Sequence, residues 1–154
     1  MTKESSAQEA AKGLSIRHVA MNLLARREHS ACELKLKLKL RGFDADVIDI
    51  ALESLQQERL QSDSRFTENY VNYRVNAGFG PIKIRHELRQ KGVSTELVDK
   101  YLPRLNPRWD EMMERQRVRK FGQEIPQDYA LRMKQARFLQ NRGFSPEAVM
   151  RLFR

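Results

Sequence analysis

Residues 33–43 read ELKLKLKLRGF, and the reading of that stretch decides the fold. Leucine at 34, 36, 38 and 40 alternates with lysine at 35, 37 and 39. A period of two is the mark of a half-buried strand. The rest of the chain argues otherwise, because it repeats. Three segments align on a glycine: LKLRGFDADVI (38–48), LRQKGVSTELV (88–98) and LQNRGFSPEAV (139–149), with Gly42, Gly92 and Gly143 spaced by 50 and 51 residues. In that register Leu34 and Leu38 fall on Ile84 and Leu88 of IKIRHELRQKG, an i, i+4 pair in a stretch that does not alternate. The segment is therefore a helix. Leu36 and Leu40 are expected to widen its apolar stripe, with the lysines spread around the other side.

Each column of the repeat has a mechanical reason. Glycine tolerates the left-handed conformation that ends a helix, and the cation before it (Arg41, Lys91, Arg142) suits the negative end of the helix dipole. An apolar residue follows (Phe43, Val93, Phe144), then a capping type (Asp44, Ser94, Ser145) for the next helix. Two positions further an acid (Asp46, Glu96, Glu147) sits in that helix's first turn, and Pro146 takes the first helical position of the third copy. Ser30 with Glu33 forms a capping box before the first copy, and Gly80-Pro81 and Asp128 stand at the matching places. Upstream of each copy lies a further helical pattern: IRHVAMNLLARRE, SRFTENYVNYRVN opened by Asp63 as a cap, and RWDEMMERQRVRKFG.

The expected fold is all-α, three tandem three-helix repeats of about 50 residues each in an elongated, curved arrangement. The expected boundaries are a polar tail over 1–14 and repeats over 15–60, 61–105 and 106–154. Phe66, Tyr70 and Tyr73 are read as module core and Phe43 and Phe144 as packing residues. Tyr129 and Trp109 are the aromatics considered for surface contact.

The chain carries a net charge of +9 and a pI near 10.0, a balance that favours nucleic acid or an acidic protein face. The charge is graded: residues 1–60 hold ten basic and nine acidic groups, 61–105 eight and five, and 106–154 eleven and six. A lone cysteine, Cys32, cannot staple the fold and fits a reducing cytoplasm. No apolar run is long enough to span a membrane, and MTKESSAQEAAKG lacks the apolar core of a secretory signal. His29 and Cys32 make a lone H-x-x-C, and HEL at 86–88 has no second histidine at zinc-protease spacing. GFGP at 78–81 lacks the lysine-serine of a phosphate loop and reads as a turn between helices. The acidic pairs Asp44/Asp46 and Asp63/Glu68 would suit a metal-dependent nuclease, but Asp44, Asp46 and Asp63 already have roles at helix starts. The sequence points to a binding protein with no catalytic, metal or cofactor site.

SDSRFTENYVNYRVNAGFGPIKIRHELRQKGVS (62–94) resembles the central signature of the RecX family, bacterial regulators of the RecA recombinase. RREHSACELKLKLKLRGF and RFLQNRGFSPEAVMRLFR look like its first and third modules, so the resemblance runs from about residue 15 to 154. It implies a cytoplasmic monomer that binds RecA filaments on single-stranded DNA. There it inhibits their ATPase, strand-exchange and co-protease activities and blocks filament extension. It also implies direct contact with DNA, double-stranded DNA included.

An anionic helical partner is met first by cations on exposed helix faces. The candidates are Arg74, Arg85, Arg89 and Lys91 in the middle repeat. Lys35 and Lys39 occupy the Arg85 and Arg89 columns of the first, and Arg132, Arg137 and Arg142 are the comparable cations of the third. The alternative is an autonomous DNA-binding protein of helix–turn–helix type. The post-glycine helices begin ADVIDIAL, TELVDKYL and PEAVMRLF, acidic and apolar, and fit a DNA groove poorly.

Overall fold

A computed structural model describes residues 15–103 and 108–154; the tail 1–14 and residues 104–107 lie outside it. Among the described residues there are nine helices and no strand. They are α1 (15–26), α2 (Ala31–Leu40), α3 (Ala45–Gln57), α4 (Asp63–Asn76), α5 (Pro81–Gln90), α6 (Thr95–Tyr101), α7 (Arg108–Phe121), α8 (Tyr129–Asn141) and α9 (Pro146–Leu152). The alternating stretch is helical, with Leu34 and Leu38 fully buried. Leu36 and Leu40 do not join that stripe: they are 58% and 79% exposed. They stand two positions from the buried leucines, about 200° around the helix, and so face away from the core.

The residues pack as two compact units. The first holds the described residues up to Asn69 together with Lys91–Val93. Its core is Ile16, Ala20 and Leu23 from α1, Leu34 and Leu38 from α2, and Ile48, Leu52 and Leu55 from α3. Burying a leucine or isoleucine side chain contributes roughly 1.5–3 kcal/mol, so this cluster dominates the unit's stability. The second unit holds Tyr70–Gln90 and the described residues from Ser94 onward. There Ile84 and Leu88 of α5, Val98 of α6, Trp109 and Met113 of α7, Ala136 and Leu139 of α8, and Val149 of α9 are buried.

The glycine turn of one repeat seats on the start of the middle helix of the repeat before it, and this happens twice. In the first unit Ser30 Oγ donates to the Lys91 carbonyl at 2.8 Å, and a side chain on Gly92 would lie 2.5 Å from Cys32 Cβ. In the second unit the Gly80 and Ile82 amides donate to the Arg142 and Gly143 carbonyls at 2.8 and 3.0 Å. The orphan amides at the head of α5 are thereby satisfied by the orphan carbonyls at the tail of α8.

Capping follows the repeat with two corrections. Ser30, Ser94, Asp128 and Ser145 accept the expected amides, from Glu33, Leu97, Leu131 and Ala148. Asp44 stands at its cap position without a side-chain hydrogen bond. Asp63 is no cap for its own helix. Ser62 Oγ accepts from the Arg65 amide instead, and Asp63 accepts from the Ala31 amide at 2.8 Å, serving the start of α2. The aromatic readings divide in the same way. Phe66 and Phe144 are buried, whereas Tyr73 is 69% exposed and is not core. Tyr129 is on the surface, but Trp109 is buried, with its indole N–H on the Pro103 carbonyl.

His29 is buried in the first unit, its Nδ1 3.0 Å from the Arg27 carbonyl and its Nε2 2.8 Å from Lys37 Nζ. An ammonium can only donate, so Nε2 accepts and Nδ1 carries the proton. Burial, with the Arg27 and Lys37 charges added, pushes the imidazole below its ordinary value, although the Arg27 carbonyl and Glu33 act against this. The unfolded chain therefore binds more protons than the folded one below about pH 6.5, and stability rises with pH through that window. Denaturant titrations should show stability falling from pH 7 to pH 5, with a smaller fall for His29→Gln. Glu33 adds little there: burial raises its carboxyl, but hydrogen bonds from Lys91 and Arg27 outweigh that and leave it below the usual carboxylate range.

Candidate nucleic-acid interface

The nine candidate cations fall into three groups. Lys39, Arg89 and Arg137 lie on α2, α5 and α8, are exposed, and make no hydrogen bond or ion pair to a described residue. Four others are engaged in holding the fold. Lys35 bridges α2 to α3 through Asp49 at 3.0 Å, and fifty residues later Arg85 bridges α5 to α6 through Asp99 at 2.7 Å. Arg85 also donates to the Leu102 carbonyl and is only 15% exposed, so it ties down the end of α6. Lys91 pairs with Glu33 at 2.9 Å, and Arg132 donates to the carbonyls of Pro126 and Phe153.

The remaining two, Arg74 and Arg142, are brought together on an aromatic ring. The Arg74 guanidinium lies 3.7 Å from the Phe79 centroid and that of Arg142 4.8 Å; Lys83 Nζ also lies 4.8 Å from it. Arg142 further lies over Phe138 at 5.3 Å and donates to the Ala77 carbonyl. Such stacking holds a guanidinium flat and leaves its edge available to an anion. Glu87 offsets part of the charge, bonding Arg74 at 2.6 Å and accepting from the Tyr70 hydroxyl. Burial would raise the Glu87 carboxyl, but the Arg74 and Tyr70 hydrogen bonds prevail, and it stays ionised beneath the usual range. Arg74 Nε is buried and finds no hydrogen-bond partner among the described residues.

Sequence reasoning missed Lys83, Lys120 and Lys134. Lys120 lies 5.1 Å from the Phe138 ring, and Lys134 lines a shallow groove on α8 with Leu131, Arg137, Phe138 and Asn141. Lys83 stands two residues after GFGP, and its place at the head of α5 beside Phe79 was the available signal. It also missed Arg117, a buried arginine on α7. No three histidine, cysteine or carboxylate side chains among the described residues gather as a metal site would require. No helix among the described residues is long and apolar enough to cross a membrane.

Comparison with known proteins agrees with the repeat. Three family models match in tandem: the first three-helix domain of RecX over 17–55, the second over 62–102 and the third over 109–153. Regulatory protein RecX from Pseudomonas fluorescens (strain SBW25) is 43% identical over 139 residues, covering 90% of each chain. Its counterpart from Pseudomonas syringae pv. tomato is 42% identical over the same share. A crystal structure of regulatory protein RecX superposes with a TM-score of 0.80 at 21% identity, over 94% of this chain and 72% of that one. The structure of RecX from Lactobacillus salivarius gives 0.75 at 21%, over 93% of both. At such identity a structural likeness speaks for the fold, while the sequence relatives speak for descent. With all three of its domains matched in order, the chain belongs to the RecX family of regulatory proteins.

Proposed function

We propose that this protein is a non-enzymatic regulator that binds RecA-type recombinase filaments on single-stranded DNA. It inhibits their ATPase, strand-exchange and co-protease activities and so modulates DNA repair and the SOS response. It acts in the cytoplasm as a monomer built of modules 15–60, 61–105 and 106–154, and needs no cofactor. The observation that carries the reading is the placement of Lys39, Arg89 and Arg137: one exposed cation on the middle helix of each repeat, none engaged elsewhere in the described chain. A filament with a regular anionic backbone is met well by cations recurring on equivalent helices. Arg74, Lys83 and Arg142 around Phe79 add a second cationic patch, whereas Lys35, Arg85, Lys91 and Arg132 act mainly inside the fold.

Autonomous helix–turn–helix binding is weaker as a reading. Two of the helices after the glycine turns, α6 and α9, have only seven residues each, and all three carry an acid in the first turn, Asp46, Glu96 and Glu147. Carboxylates at the leading end of a recognition helix repel the phosphates on either side of a groove.

The test is RecA's DNA-dependent ATPase titrated with the protein. Inhibition at or below equimolar amounts is expected, and its absence would sink the reading. Changing Lys39, Arg89 and Arg137 together to glutamate is expected to weaken inhibition at least tenfold at moderate salt. Each lost phosphate contact also reduces the salt dependence. Unaltered inhibition by that variant would place the contact surface elsewhere.

A further inference from the structure

Four cations of the second unit are gathered on two aromatic rings. Arg74, Lys83 and Arg142 surround Phe79, and Lys120 shares Phe138 with Arg142, so the four arrive from α4, α5, α7 and the end of α8. None of them is buried. One carboxylate, Glu87, is tied into the group through Arg74. α8 carries no acid between its cap Asp128 and Arg142. The exposed Glu68 and Glu124 stand at the margins, one turn before Asn72 and four residues after Lys120. Like charges held this close repel, so four of them against one carboxylate form a site that an anion completes.

Beside that row the outward side of α4 changes character. Asn72, Tyr73 and Asn76 are exposed, Tyr73 to 69%, and their side chains make no hydrogen bond or ion pair to a described residue. Asn76 follows the other two by one turn, so a phenol ring and two carboxamides share one face. In a chain that is 32% charged, these three positions carry no charge. Ala77 links them to the cations: its amide donates to the Tyr73 carbonyl, and its own carbonyl accepts from Arg142.

We propose that this surface binds an unpaired nucleic-acid strand, with Tyr73 stacking one base and the cations on Phe79 and Phe138 holding the adjoining phosphates. It deepens the proposed function, resting on that reading for the choice of DNA over RNA as the strand. The flat edge of a guanidinium matches the oxygens of a phosphate. An exposed phenol gives any base a stacking plane, and a carboxamide can pair with a base edge. A duplex suits the surface less well, because its bases are stacked on one another and present no free face. An acidic protein would answer the cations but leave the phenol and the carboxamides without a partner.

The test is binding of the full chain to free poly-dT and to a DNA duplex of matched length at the same salt. Wild type is expected to prefer poly-dT by at least about fivefold, and Tyr73→Ala to weaken poly-dT binding about tenfold, the size of one lost stack. Tyr73→Phe keeps the ring and should stay within about twofold of wild type. The position is exposed, so both variants should melt with the wild type. Changing Lys83 and Lys120 together to glutamine should flatten the dependence of log K on log salt by about 1.4, the value for two phosphate contacts on a single strand. Unchanged poly-dT binding by Tyr73→Ala overturns the proposal, and so does an unaltered salt slope in the lysine variant. A wild type that binds the duplex as tightly as poly-dT also overturns it. So does a loss by Tyr73→Ala confined to RecA filaments, with free poly-dT binding intact, which would assign the face to protein. If wild type binds poly-dT as expected but fails to inhibit RecA's ATPase, the proposed function falls while this site stands.

Discussion

Arg117→Met should lower the stability of the second unit by about 3 kcal/mol, the size expected when a buried charged hydrogen-bonding centre is removed and its partners stay behind. For a chain of this size that is a drop in melting temperature of roughly 6–12 °C. Arg117 is 1% exposed, and its guanidinium serves several acceptors at once. It pairs with Glu114 one turn earlier on α7 at 2.7 Å, and donates to the carbonyls of Gly122, Gln123 and Glu124 and to Gln135 Oε1 on α8. The segment between α7 and α8 therefore winds around one side chain. The Glu114 hydrogen bond holds the guanidinium above its already high ordinary value, against the opposing effect of burial, so it stays charged. Methionine fills the volume but strands three carbonyls. Arg117→Lys should recover only part of the loss, because one ammonium cannot reproduce a planar fork of donors. Thermal unfolding followed by circular dichroism decides this, and a change below 1 kcal/mol for Arg117→Met would contradict the account.

Gly143→Ala should cost about as much, while the same change at the equivalent Gly42 should cost only about 1 kcal/mol. Both glycines have positive φ, +100° and +91°, and alanine in that region is strained by roughly 1–2 kcal/mol. They differ in what surrounds them. A methyl group on Gly143 would lie 2.4 Å from Lys83 Cβ and 2.7 Å from the Lys83 amide nitrogen, whereas one on Gly42 would meet nothing within 4 Å. The clash adds roughly 1–3 kcal/mol, as for other overpacked sites. It also pulls apart the two hydrogen bonds by which α5 receives the Arg142 and Gly143 carbonyls. Equal costs at the two positions, measured by denaturant unfolding, would show that the seating of the glycine turn contributes nothing.

The repeat explains how much could be read from the chain. Helix ends are set by local chemistry, so the glycine, the serine caps at 30, 94 and 145 and the first-turn acids were legible as a spacing. The alternation at 34–40 misled only about direction: Leu36 and Leu40 share residue type with the core but not its face. The cations were legible as a class and much less so as a site. Nothing in the one-dimensional pattern distinguishes Arg89, which faces outward, from Arg85, which is bound to Asp99 and the Leu102 carbonyl on the next helix. That distinction depends on an acid fourteen residues away. Phe79 is the same case, since its role depends on Arg74, Lys83 and Arg142 arriving from different elements.

Asp63 has a bearing on how the chain can be cut. Its carboxylate closes the Ala31 amide, and its neighbour Gln61 donates to the His29 carbonyl, 32 residues away in both cases. A fragment stopped at residue 60 would look complete by repeat length yet leave two backbone groups before α2 open to water. During synthesis the same helix cannot be sealed at its leading end until the opening of α4 has left the ribosome. The first bundle is finished by residues that belong, in sequence, to the second.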